Sequence, residues 1–242
     1  MVDWDYDQYR QIIQKYAGNA VTWTAAANLD SFTVIRHDVE SSMEAALQIA
    51  IIDQAIGVPS SFFFQVTSGL YNLASSPNQQ VLEKILETGR DVGVHVCATE
   101  YPTDSDLTPE QFYLNEIGRQ KSLFMEIVGL TPKIFNVHRP SPVFLNLGLS
   151  TADGMLNSYG PSFFDYTDVF PSRKIRYLAD SRHRWDYGNP LAFSAVGKTQ
   201  LLLHGEEWTH HGEGRAETLD RILREKSGEA ITEILAERTV ER

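Results

Sequence analysis

The chain has 242 residues, 42% hydrophobic and 22% charged, with 32 acidic against 21 basic side chains and a net charge of -11. That length and balance fit a globular domain with a sizeable core, while the acidity and the lack of a Lys/Arg stripe exclude a nucleic-acid partner of the usual basic-faced kind. Cys97 is the single cysteine, so an internal disulfide is excluded. Apolar runs fall far short of the roughly 20 residues of a membrane span. The N-terminus Met1-Val2-Asp3-Trp4-Asp5-Tyr6-Asp7 lacks the basic and apolar regions of a secretory leader. These features predict a soluble cytoplasmic protein with no membrane span. Nothing in the sequence fixes an oligomeric state.

Short apolar runs alternate with amphipathic segments, the pattern of βα units around a largely parallel sheet. A first helix is expected over 4–16, with Tyr9, Ile12, Ile13 and Tyr16 on one face. The run Phe32-Thr33-Val34-Ile35 reads as a buried strand reaching His37. Ser41-Ser42-Met43-Glu44 then opens a helix, with Ser41 as cap and Glu44 closing the capping box, and Gly57 stops it. Strands are expected at 61–66, 92–96 and 134–137, and helices at 77–88 and 109–128. The stretch from Pro140 to Pro171 holds a possible strand at Ser162-Phe163-Phe164. Strands at 175–179 and 200–203 follow, and a last helix at about 216–237 carries Leu219, Ile222, Leu223, Ile231 and Leu235 on one side. No linker, repeat or low-complexity tract divides the chain, so residues 1–242 read as one domain.

Polar residues recur where the strands end: Asp38, His95, His138, Asp180 and His204. In parallel α/β folds the C-terminal strand edge carries the site, because its loops converge on one mouth. Asp38 and Glu40, two apart in an extended segment, point to one side. Two acids placed so need a cation, a shared proton or water. Asp38 reads as a catalytic base, or as the partner of Arg36 or Arg139. Glu40 reads as a metal ligand, or as a charge at the next helix's N-terminus. His95 suits a metal such as zinc, or is a satisfied polar residue. His138 and Arg139 offer an imidazole and a carboxylate-binding fork, or a strand-end ion pair. Asp180 orients a histidine or belongs to a loop network. His204, delivered by three leucines, suits acid–base chemistry. Trp208 is either a wall for a sugar ring or a packing residue. His210-His211 reads as a loop rather than a metal tract. No phosphate loop, dinucleotide fingerprint or nucleophile elbow is present.

Taken in order, these motifs resemble the polysaccharide deacetylase superfamily (NodB homology, carbohydrate esterase family 4), and in particular its divergent branch associated with bacterial surface-polysaccharide and lipopolysaccharide biosynthesis. His37-Asp38-Val39-Glu40 resembles the first motif, Asp91-Val92-Gly93-Val94-His95 the second, Arg139-Pro140 the third, Asp180 with Trp185 the fourth and Leu201-Leu202-Leu203-His204 the fifth. The likeness spans residues 33–208. It implies an α/β fold, a distorted (β/α) barrel of about seven strands. It also implies a divalent metal, most often zinc, held by Glu40, His95 and His138, with Asp38 as base, His204 as general acid, and Asp180 and Arg139 as orienting groups. The implied reaction is removal of an N-acetyl group from a sugar or oligosaccharide. Two positions depart from the family pattern: Thr99 stands where a second histidine is usual, and Glu40 is one methylene longer than the usual aspartate. The alternatives are a catalytically degenerate barrel that binds a saccharide or a partner enzyme, and a metal-dependent hydrolase of a non-sugar amide.

Overall fold

The computed structural model describes residues 3–98, 100–102, 104–165 and 175–240, the side chains of 233 and 235–240 aside. Helix α1 (Tyr6–Ala17) begins where Asp5 accepts a hydrogen bond from the Gln8 amide, and it buries the expected face of Tyr9, Ile12, Ile13 and Tyr16. A short helix, α2 (Trp23–Ala26), precedes strand β1 (Phe32–Val39), which is buried throughout. Helix α3 (Met43–Ile56) ends at Gly57, whose φ of 79° places it in the left-handed region that glycine tolerates. Its cap is Ser42, which accepts from the Ala45 amide, rather than Ser41. Ser41 lines the site cavity instead, and the one-residue shift puts Glu44 out of capping-box position.

The chain continues through β2 (Ser61–Phe64), α4 (Ser76–Glu87), β3 (Asp91–Val96) and α5 (Pro109–Val128), the last opened by a Thr108–Gln111 capping box. Then come β4 (Ile134–Val137), α6 (Pro142–Asn146), the two-strand hairpin β5 (Thr151–Ala152) and β6 (Met155–Asn157), and β7 (Ile175–Ala179). Strand β8 (Lys198–Leu203) and the long helix α7 (Arg215–Val240) close the chain. The strand expected at 162–164 is a turn, in which the Phe163 and Phe164 amides both donate to the Gly160 carbonyl. That turn drops Phe163 into the barrel interior.

The eight strands form one sheet in the order β5-β6-β4-β3-β2-β1-β8-β7. All its ladders are parallel except the β5–β6 hairpin. Among the described residues no ladder joins β7 to β5, so the sheet is an incomplete (β/α) barrel, with helices such as α1 and α3 packed outside it. Seven strands follow one direction, the number that the family resemblance implies, but the seventh is β6 rather than residues 162–164, and β5 is the antiparallel addition.

Alternation sorts each strand into an inner and an outer face. On β1 the inward series is Phe32, Val34, Arg36 and Asp38, leading to Glu40. Phe32 and Val34 form an apolar plug with Trp23, Phe63, Ile134 and Phe163. Above that plug the inward residues turn polar. The outward residue His37 meets Asp53 of α3 (Nε2···Oδ2, 2.8 Å), and Tyr9 of α1 donates to the same carboxylate (2.7 Å). All three side chains are fully buried.

Gly93, on β3, faces the plug: a Cβ there would sit 2.7 Å from the Ile134 carbonyl and 3.0 Å from the Phe63 ring. Overpacking of this kind costs about 1–3 kcal/mol. Gly93→Ala is therefore expected to lower the denaturant midpoint without changing the slope. A midpoint equal to wild type would contradict this packing.

Candidate active site

Arg36 and Asp38 stand one pleat apart on the inner face of β1, and the guanidinium grips the carboxylate with both prongs. Nε donates to Oδ1 at 2.8 Å and Nη2 to Oδ2 at 2.7 Å. A buried guanidinium needs partners for all its donors. Gln200 of β8 (3.1 Å), Ser158 (3.3 Å) and the Tyr159 hydroxyl (3.0 Å) supply them. Burial alone would raise the Asp38 carboxyl, but Arg36, with His95 and His204, holds it well below the ordinary carboxylate range.

Asn136 of β4 donates from Nδ2 to Asp38 Oδ1 at 2.6 Å. An ionised Asp38 only accepts, which fixes the amide's orientation and turns Asn136 Oδ1 toward His95 Nδ1. His95 therefore carries its proton on Nδ1 and presents a lone pair at Nε2. The chain Asp38–Asn136–His95 orients a ligand imidazole in the way metal-binding histidines require.

Nε2 of His95 faces Glu40 Oε1 at 3.4 Å, His138 Nε2 lies 3.3 Å from the same oxygen, and His204 Nε2 lies 3.7 Å from it. His138 Nε2 is buried and makes no hydrogen bond. The ligand atoms of Glu40, His95 and His138 all lie within 4.8 Å of one another, as do those of Asp38, Glu40 and His204. Electron-pair donors crowded this closely need a proton or a cation among them. An orphaned imidazole nitrogen, a lone pair fixed by its tautomer and a carboxylate are the donor set of a divalent-cation site, and one that zinc accepts. Burial favours the charge-free form of Glu40, yet the surrounding imidazoles, His95 and His204 foremost, outweigh it, pulling its pKa down to about 2. Burial is also the main reason His138 is held below the usual imidazole value, the direction that favours ligation.

On the other side of the mouth, Asp180 follows β7 and is fully buried. It accepts from His204 Nδ1 (2.6 Å), from the His204 amide (3.0 Å) and from Trp208 Nε1 (2.9 Å). Burial disfavours a charged His204, but Asp180 reverses that and pushes its pKa up to about 10. His204 thus keeps its proton at neutral pH, with Nε2 aimed at the cluster as a donor. Trp208 is no sugar wall: it is buried, packed on Trp4 and Tyr9, and it steadies Asp180.

The strand-end residues Asp38, Glu40, His95, His138, Asp180 and His204 are thus brought together. Arg139 is not joined to them by any hydrogen bond or ion pair among the described residues. It is exposed, with a φ of 48°, on the rim of the cavity that also contains Glu40 and His204. Thr99 lies outside the described residues. Arg36, which the sequence offers only as one possible partner of Asp38, is the one that clamps it. Asn136 and Glu206 carry no sequence signal of their own, apart from the β4 alternation that places Asn136 two residues before His138. Burial pushes Glu206, on the cavity wall, up to about 7 against the pull of His204.

No protein-family model and no curated protein matches the sequence. The solved structures it is similar to include a carbohydrate esterase family 4 (CE4) pseudoenzyme from Bacillus anthracis: 12% identity, 84% of this chain covered, TM-score 0.45. This chain spans 62% of that protein's length. A chitin deacetylase from the fungal pathogen Colletotrichum lindemuthianum is 15% identical, with 80% of this chain and 81% of that one covered and a TM-score of 0.44. A family 4 acetyl xylan esterase from Clostridium thermocellum, solved with a cobalt ion, is 16% identical, with 81% and 84% covered and a TM-score of 0.36. At such identities the likeness concerns the fold.

Two outcomes test this geometry. The folded pKa of His204 is raised to about 10 from an unfolded value near ~6.5. The stabilisation is then fully present below pH ~6.5 and lost as pH rises through about 10. In chelator, thermal unfolding is expected to show stability falling across that window, with a shallower fall in His204→Gln; identical profiles would rule out the Asp180–imidazolium pair. Separately, Asn136→Leu is expected to weaken zinc binding about 10–100-fold, read by competition against a chromogenic chelator.

Proposed function

We propose that the protein is a metal-dependent hydrolase that removes an N-acetyl group from an amino sugar or polysaccharide precursor. The observation that carries this reading is the convergence of Glu40, His95 and His138 between an ionised Asp38 and a protonated His204. Glu40, His95 and His138 are the residues that would hold a divalent ion, most plausibly zinc. Such an ion, when bound, polarises an acyl carbonyl and acidifies water.

The chain's own residues supply the proton traffic. Asp38 Oδ2 accepts from Arg36 and lies 3.8 Å from His95 Nε2, so it borders the cluster. It takes a proton from the attacking water as the water oxygen bonds to the acyl carbon. His204 gives its Nε2 proton to the amide nitrogen as the C–N bond breaks, releasing acetate and a free amine. Asp180 keeps the imidazole aimed and charged until then. Arg36 makes Asp38 a weak base and fixes the direction of its carboxylate. Arg36, rather than Arg139, orients the base.

The order of motifs supports a sugar substrate from bacterial surface-polysaccharide assembly. The test is acetate release from N-acetylated sugars by zinc-loaded protein. Asp38→Asn and His204→Ala are each expected to lose at least about 100-fold in kcat/KM while keeping the wild-type circular dichroism. Activity near wild type in either would remove the assignment. Zinc uptake without acetate release from any sugar would favour the binding barrel.

A further inference from the structure

The mouth of the site opens into a cavity of about 860 Å³. That volume lies toward the upper end of small-molecule pockets and exceeds what one acylated sugar ring fills. Its walls differ in character. Three arginines from three separate segments line it: Arg139 beyond β4, Arg182 beyond β7 and Arg215 at the start of α7. The rest of α7's share of the lining is apolar, Leu219, Ile222 and Leu223 following Arg215 on that helix, with Leu219 and Leu223 47% and 66% exposed.

The carboxylates that share this cavity do not neutralise the arginines. Glu40 is enclosed by imidazoles, Glu207 pairs with His183 and Glu206 is buried in the wall. Among the described residues, neither Arg139 nor Arg215 has a hydrogen bond or ion pair. Arg182 reaches Asp186 only at 3.4 Å, and Arg184 competes for that carboxylate at 3.5 Å. Arg139 and Arg182 also hold left-handed backbone, with φ of 48° and 62°. Non-glycine residues pay for that conformation, and such strain gathers at ligand clamps. In a chain with a net charge of -11, three guanidiniums at one mouth, two of them without a partner among the described residues and the third only loosely paired, are a local reversal of charge. Planar guanidinium forks match phosphoryl oxygens in geometry.

Building on the hydrolase reading above, we propose that the substrate is an N-acylated amino sugar carrying a phosphoryl group, seated on Arg139, Arg182 and Arg215, with the α7 wall receiving an apolar substituent beyond it. The phosphoryl group either ends the molecule or links the sugar to a lipid, and the two sources are separable.

The experiment compares N-acetylglucosamine, its 1-phosphate, and that 1-phosphate esterified with a short prenyl chain, using zinc-loaded enzyme for acetate release and chelator-treated protein for calorimetric binding. The phosphorylated sugars are expected to show KM values lower by about tenfold or more, the scale of one charge-assisted hydrogen bond. Arg182→Gln and Arg215→Gln are each expected to collapse that preference toward unity, and Arg215→Lys to restore part of it. A further gain with the prenyl ester, lost in Leu223→Ser, supports the lipid-linked source; its absence supports the soluble one. Equal KM for neutral and phosphorylated sugars, or a preference untouched by the arginine variants, overturns the phosphoryl subsite and leaves the hydrolase reading standing. Arginine-dependent binding of the 1-phosphate without acetate release from any sugar has the opposite effect.

Discussion

The clamp of Arg36 on Asp38 is the interaction on which the rest of the site depends. It places an ion pair in a barrel interior whose next layer down is aromatic, and neither partner retains water. Isolated, either charge would be prohibitively costly there; removing one partner of such a pair typically costs about 3–5 kcal/mol. Because the pair is closed by Gln200, Ser158 and Tyr159 as well, its geometry is set by β8 and by the turn after β6. Asp38 in turn dictates the amide orientation of Asn136, which dictates the tautomer of His95. One ion pair, three links long in its effects, determines which His95 nitrogen faces Glu40 and His138.

The two histidines on either side of Glu40 are prepared in opposite senses. His95 is oriented by a neutral amide and offers a lone pair. His204 is oriented by a buried carboxylate and carries an extra proton. The difference lies in the group behind each ring. An amide cannot stabilise an imidazolium as a carboxylate can, so the same side chain is set up as a lone-pair donor on β3 and as a proton donor after β8, the two roles the proposed reaction needs. This division of roles is what the strands' convergence makes possible.

Much of this was legible in the sequence because alternation in strands is strict. Apolar runs that end in Asp38, His95, His138 and His204 predict both the parallel sheet and the edge at which chemistry collects, and the period of two puts Asp38 and Glu40 on one side. What the sequence does not reveal is which buried partner each group takes. Arg36 and Arg139 are equally plausible mates for Asp38 by composition, and only the closure of β1 against β8 decides for Arg36. Trp208 reads equally as a ligand wall and as a packing residue until its indole is seen donating to Asp180. The phenylalanines at 163 and 164 have strand propensity, but tertiary packing overrides it, because the plug needs Phe163 where a strand would not deliver it. Ser41 and Ser42 are equivalent as caps until the chain must turn at Glu40, and that turn moves the helix start by one residue.

Strand β1 is polar on both of its faces: Arg36 and Asp38 inward, His37 outward to Asp53 and Tyr9. A central strand with apolar residues on either side can shift along its neighbours at modest cost. Here a shift of one residue would drive an imidazole into the ion-pair layer and a guanidinium into the helix interface, leaving both without partners. The His37–Asp53–Tyr9 cluster, which places no group in the mouth and meets the site only where Tyr9 packs on Trp208, thus acts as an alignment key. It allows β1 to pair in one register only, the one that brings Asp38 and Glu40 to the mouth.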